Sequence, residues 1–198
     1  MLKLGVLPLL FAVLTPATAQ VSPTPYIGPF HSAVDDYGQA YFATKVEPTQ
    51  PIQLGPYQTY FSSQALPNIT LPVSTIIFVA SNSGRYTSGN PAAFIFSSDP
   101  VPNTIISDAS WFCKGYGPSS TFSQEEWPTK ENAGSLITGA LTANAYQQWP
   151  KAVELPFYGS YGNQVVENIP LQAKYIWAAG PEPGYPENPP RNVICVKR

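Results

Sequence analysis

Apolar residues fall in short runs along this chain, most of them too short or too alternating for helices. Val73 to Ala80 reads VSTIIFVA, the clearest run of a buried strand. Ala92 to Phe96 is also apolar without interruption. Ser98, Asp99 and Pro100 then supply turn chemistry, and Thr104 to Ile106 resumes a β-branched run that Ser107 and Asp108 end before Trp111 and Cys113. This pattern predicts a central hairpin. Further strands are expected at Gln39–Val46, Tyr57–Phe61, Val153–Phe157, Ala173–Ala178 (AKYIWA) and Val193–Lys197, with a weak one at Gln164–Asn168.

The polar and proline-rich intervals predict what lies between. Residues 20–33 read as an extended arm carrying Phe30 and His31, and Val34 to Gly38 as a turn. Pro48, Pro51 and Pro56 break the segment after Val46, and Gly180 to Pro190 cannot be regular structure. Past Cys113 the chain reads as irregular, with one helical turn over Gln124–Trp127, mixed helix or loop character over Leu136–Gln148 and a turn over Tyr158–Gly162. Many short strands without a convincing long helix predict an all-β sandwich with long Pro/Gly-rich loops.

Residues 1–19 stand apart. Lys3, the apolar run Leu4–Leu14 and the small residues Ala17-Thr18-Ala19 have the form of a signal peptide cleaved after Ala19. That run is short of the roughly 20 residues a spanning helix needs. The expectation is a secreted, extracellular protein with no membrane span, and a single domain over residues 20–198. The formal net charge is −2, before Lys3 leaves with the leader. With no basic run, nucleic acid and anionic membrane surfaces are not expected partners. In an oxidising compartment Cys113 and Cys195 are expected to form one disulfide, closing a loop worth roughly 4 kcal/mol by chain entropy. Asn68-Ile69-Thr70 is a glycosylation sequon.

Candidate chemistry is sparse. His31 is the sole histidine and has no nucleophile motif beside it, so it is expected to pack or face solvent. No zinc or copper cluster is spelled out. Glu125 and Glu126 are adjacent and diverge on either a strand or a helix, so they do not make a glycosidase pair. Either of them with Glu154 or Asp108 would have to be assembled by the fold, and Asp108 is expected to cap the turn before Trp111. Asp35 and Asp36 could hold a structural calcium ion, although turn capping is the simpler role; no other cofactor is expected. A sugar site needs only an aromatic face and polar neighbours. Trp127, Trp149, Tyr158 and Tyr161, with Asn163 and Gln148 nearby, all lie in irregular stretches, whereas Trp111 and Trp177 are expected in the core.

Asp35-Asp36-Tyr37 with Ala40-Tyr41-Phe42, Val79 to Gly84, Ala92-Ala93-Phe94-Ile95, Ile106 to Trp111, Pro156 to Ser160 and Ala173 to Trp177 follow one another along the chain. These segments resemble secreted fungal proteins with a galactose-binding-like jelly roll. Asp35-Asp36-Tyr37 with Ala40-Tyr41-Phe42 resembles their DD-Y-LYVNG strand, and Val79 to Gly84 their V-A-SN-G strand end. Ala92-Ala93-Phe94-Ile95 is similar to their AAI strand, Ile106 to Trp111 to VSD-SW, Pro156 to Ser160 to the PWG position, and Ala173 to Trp177 to AKWIW. Phe42-Ala43-Thr44 stands where those proteins have VNG. The resemblance implies a jelly-roll sandwich and sugar binding. The leading expectation is a secreted, non-enzymatic, monomeric protein binding a glycan or cell-wall polysaccharide. The alternatives are a structural or host-interaction protein that binds another protein, and a polysaccharide hydrolase.

Overall fold

The computed structural model describes residues 29–59, 64–67, 69, 73–82, 92–98, 105–116, 126–155, 169–170, 172–179 and 191–198. Among these residues, ten strands form two antiparallel five-stranded sheets. They are β1 Phe30–Asp35, β2 Tyr37–Thr44, β3 Ile52–Thr59, β4 Gln64–Leu66, β5 Val73–Ser81, β6 Ala93–Ser98, β7 Phe112–Tyr116, β8 Val153–Glu154, β9 Ile176–Trp177 and β10 Asn192–Lys197. One sheet runs β4-β1-β6-β9-β8 and the other β3-β2-β5-β10-β7. Helix α1, Lys130–Leu141, and a 3₁₀ segment, Thr142–Gln148, stand between β7 and β8 in the chain.

The core between the sheets is built by alternation. Ala40 and Phe42 of β2, Ile76, Phe78 and Ala80 of β5, and Val193 and Cys195 of β10 all point into it. Phe78 stacks on Phe94 of the facing sheet at 4.3 Å and 12°. Trp111 meets Phe94 and Phe96 edge-on, each at 5.7 Å, and its indole N–H donates to the Ile106 carbonyl at 2.8 Å. The predicted hairpin is present, in shortened form. Ile106 bridges Ser97, with Ser98 N–H donating to the Ile105 carbonyl and Ser107 N–H to that of Phe96.

Cys113 and Cys195 lie directly opposite each other on β7 and β10 and are bonded, both buried. The final strand thereby returns to the middle of the chain, as expected from the two sulfurs.

Four expectations need correction. Phe30–Asp35 is a strand of the core, not an arm, and its ladder with β6 runs the full length from Phe30–Ser98 to Asp35–Ala93. The turn expected at Val34–Gly38 reduces to Asp36, where the chain leaves one sheet for the other; the Asp35–Asp36 peptide is cis, and Asp36 N–H donates to the Ser81 carbonyl. The segment after Cys113 is strand β7, because Phe112–Tyr116 pairs with β10. And α1 is a true helix of 12 residues. Its apolar stripe consists of Ala133, Ile137, Ala140 and Leu141, spaced i, i+4, i+7, i+8.

That stripe packs on the outer face of the second sheet, against Tyr41, Ile77, Val79, Ile194 and Val196. The sheet is therefore buried on both sides over β5 and β10. The helix stops at Thr142, which turns to extended backbone while its N–H and its hydroxyl both donate to the Thr138 carbonyl, the hydroxyl at 2.8 Å. Ala143 and Asn144 then take left-handed backbone conformations.

Candidate functional site

Helix α1 covers most of that outer face but leaves the margin formed by β2 and edge strand β3. Alternation along β2 sends Tyr37, Gln39 and Tyr41 to this side. Tyr41 lies under the start of the helical region. Its hydroxyl donates to the Pro128 carbonyl at 2.7 Å, and burial, with the Glu131 charge beside it, pushes the phenol above its ordinary range. Tyr37 and Tyr57 are left at the open margin. Their rings stack at 6.0 Å and 23°, each half-buried.

A bulge brings Tyr57 to this position. Gly38 pairs with Gln58 and Ala40 with Leu54, so Gly55, Pro56 and Tyr57 of β3 lie opposite Gln39 alone. Gly55 takes φ of 75°, and a β-carbon there would come within 2.5 Å of Leu66 Cδ2. Pro56 fits because an edge strand has no outer ladder to lose. The carbonyls the bulge exposes are taken up by side-chain amides. Gln39 Nε2 donates to Ala40 and Gly55 carbonyls, each at 3.1 Å; Gln53 Nε2 donates to Gly55 at 3.0 Å and to Gln39 Oε1 at 3.4 Å.

The opposite wall comes from the approach to α1. The Glu126 carbonyl accepts from Thr129 N–H at 3.2 Å, from Thr129 Oγ1 at 3.0 Å and from Asn132 Nδ2, which closes the turn Glu126–Thr129. Glu126 and Glu131 are both exposed and both line the space between the walls. That space is an open cleft of about 530 Å³. It combines a stacked tyrosine pair, a glutamine network and two carboxylates on a rigid sheet margin. Among the described residues, both charged groups lining it are acids.

Two of the residues expected to bind sugar, Trp127 and Trp149, lie elsewhere. Trp127 is 3% exposed and packs its ring on Tyr116 at 5.4 Å, so it presents no face to solvent. Its contribution is to anchor the turn that carries Glu126 and Thr129. Trp149 is half-buried at the far edge of the sheet, with Lys114 Nζ 5.9 Å from its ring centre. Tyr158, Tyr161 and Asn163 lie outside the described residues, as do Asn68 and residues 1–19.

The other candidates also find places. His31 is buried opposite Ser97 on β6. Asp35 and Asp36 are 1% and 2% exposed. Burial, then the charge and hydrogen bond of Asp36, push the Asp35 carboxyl up from 3.8 to about 8. Among the described residues, no group of three or more His, Cys, Asp or Glu side chains comes together. Asp108 caps its turn by accepting from Ser110 N–H at 2.8 Å, and it pairs with Lys197 at 3.4 Å. Burial opposes its ionisation, but the Ser110 hydrogen bonds and Lys197 outweigh this and lower the carboxyl below its ordinary range. Glu154 accepts from Ala109 N–H at 2.9 Å, which ties it to the same turn and away from the cleft.

Fold and site together define a two-sheet antiparallel β-sandwich with a helix-walled aromatic and acidic cleft on one outer face. Comparison with protein-family models, with curated proteins and with solved structures gives no match to this chain. The disulfide fits an extracellular setting. Among the described residues, no helix is long and apolar enough to cross a membrane.

Proposed function

We propose that this chain is a secreted glycan-binding protein whose binding face is the cleft at the β2–β3 margin. The observation that carries the reading is the stacked Tyr37–Tyr57 pair set beside glutamine and glutamate side chains. Pyranose rings present an apolar face to aromatic side chains, and their hydroxyls both donate to carboxylates and exchange hydrogen bonds with amides. An open cleft on a rigid sheet margin suits a segment of a polymer, which enters and leaves from the side. The leader, the sequon and the disulfide support export. The repeated passage of successive strands between the two sheets supports a jelly-roll winding, in line with the fungal resemblance.

The test is a panel of soluble oligosaccharides and insoluble polysaccharides titrated against the wild-type chain, Tyr57→Ala and Trp149→Ala. Saturable binding by wild type and Trp149→Ala, weakened at least tenfold in Tyr57→Ala with the melting temperature kept, is the expected result. Equal binding by all three, or loss only in Trp149→Ala, would move the site off this cleft.

One observation favours a second reading. Glu126 and Glu131 share a single cleft, the arrangement that glycoside hydrolysis requires of two carboxylates. Release of reducing ends by wild type, abolished in Glu131→Gln, would make the protein a hydrolase instead.

A further inference from the structure

The β7 edge of the second sheet carries a different chemistry from the cleft. Alternation turns Cys113 into the core and sets Phe112, Lys114 and Tyr116 side by side on the outer face. Lys114 is exposed, and its Nζ lies 5.5 Å from the Tyr116 ring centre and 5.9 Å from that of half-buried Trp149. Cation–π attraction from two rings thus holds one ammonium in place. Lys151, bridged to Phe112, brings a second ammonium 3.3 Å from that ring centre. Near the Lys151 end the acids are already engaged: Asp108 pairs with Lys197, and Glu154 accepts from Ala109 N–H.

A surplus of hydrogen-bond donors sets this edge apart. Among the described residues, no acceptor meets the Lys114 ammonium, the Tyr116 hydroxyl or the Trp149 indole N–H. Burial pushes the Tyr116 phenol up to about 12, so it keeps its proton to donate at neutral pH. Behind them the Trp127 indole N–H and the Tyr146 hydroxyl are buried without a partner, Trp127 packed on Tyr116 and Tyr146 on Phe112. Ammonium and indole groups only donate, so the complement of this surface is rich in acceptors and negatively charged.

We propose that Lys114, Tyr116 and Trp149 form a second binding site, separate from the β2–β3 cleft, for a sugar unit that carries an anionic group, a carboxylate or a sulfate. The anion pairs with Lys114, and the pyranose lies against the half-buried rings that hold it. Neutral sugars find no counter-charge here and are left to the cleft. The site stands or falls independently of that cleft.

The experiment titrates a galacturonate hexamer, a sulfated galactose hexamer and a neutral glucose hexamer against the full chain at about pH 7, where uronates and sulfates are ionised. At least one anionic hexamer should bind about tenfold or more tighter through this site than the neutral one does, and the tighter of the two names the acid group. Lys114→Met keeps the stem's packing and should lose about tenfold or more of that affinity, whereas Lys114→Arg keeps it. Trp149→Ala should weaken it too, and Tyr57→Ala should leave it unchanged. Raising salt from about 50 to about 500 mM should remove most of it. Unchanged binding in Lys114→Met, or no binding of either anionic hexamer, would overturn the second site and leave the cleft reading standing. Loss in Tyr57→Ala would also overturn it, by placing the anionic sugar in the cleft. Polyglutamate binding as tightly as the better hexamer would overturn it as well, since the edge would then read charge and not sugar.

Discussion

The outer face of the second sheet is one surface with two fates. Over β5 and β10 it carries Ile77, Val79, Ile194 and Val196, sealed beneath α1. Over β2 and β3 it carries Tyr37, Gln53 and Tyr57, which reach solvent, with Gln39 buried among them. Strand geometry is shared, so the difference lies in the side chains and in where the helix ends. Tyr41 marks the boundary, its ring in the sealed half and its hydroxyl bound to the Pro128 carbonyl at the helix approach. A sheet face becomes a site where the covering element stops short and the exposed residues keep an aromatic surface.

The largest expected effect comes from breaking the sealed half. Ile137 is fully buried between α1 and the sheet, and Ile137→Ala should cost about 2–5 kcal/mol in urea unfolding. A cost below about 1 kcal/mol would mean that the helix does not seal this face.

Gly55→Ala tests the bulge that places Tyr57. With φ at 75° and Leu66 2.5 Å from the added carbon, the substitution should cost about 1–3 kcal/mol and weaken sugar binding in parallel. Gly139→Ala is the control, since nothing lies within 4 Å of a β-carbon there and helix propensity favours alanine.

Asp35 gives the sandwich a pH dependence with a definite sign. The folded chain holds a proton on it up to about pH 8, whereas the unfolded chain releases it near 3.8. Its contribution to stability is complete below that lower value and is lost as pH rises through about 8. Asp35→Asn should flatten this slope and, at pH 7, stabilise the protein by about 1–3 kcal/mol. Urea midpoints across the range measure it, and a wild-type curve rising from pH 5 to 8 would contradict it.

The smallest stability effect belongs to the open half. Tyr57→Ala should change unfolding by no more than about 1 kcal/mol, because its ring is only half-buried, while binding falls at least tenfold. A large loss of stability would mean that Tyr57 is a core residue.

Much of this fold was legible in the chain, where the physics was local. Val73–Ser81, Ala93–Ser98 and Asn192–Lys197 are central strands, and their apolar runs announce it. Phe30–Asp35 was hidden because His31, Ser32 and Asp35 are polar yet buried, a burial that only pairing with β6 and its surroundings produces. Strand β3 was hidden by Pro56, which an edge bulge accommodates. Helix α1 was faint because Gly134 and Gly139 lower its propensity and alanines supply half of its stripe. The two cysteines stated their partnership outright.

The site was less legible than the fold. Trp127 and Trp149 drew attention as aromatics in irregular sequence, yet one is core and the other sits beneath a lysine. Tyr37 and Tyr57 are twenty residues apart in sequence, and a one-strand view gives no reason to join them. The signal that could have found them was the pairing of two neighbouring strands whose tyrosines fall on the same side, with glutamines at Gln39 and Gln53 between them.

The most direct measurement is a backbone-amide NMR titration of the folded chain with the neutral soluble oligosaccharides of the binding panel. The account predicts saturable shift changes confined to Tyr37–Tyr41, Gln53–Tyr57 and Glu126–Glu131. Changes clustered instead on Phe112–Tyr116 and Trp149, or none at saturating sugar, would contradict it.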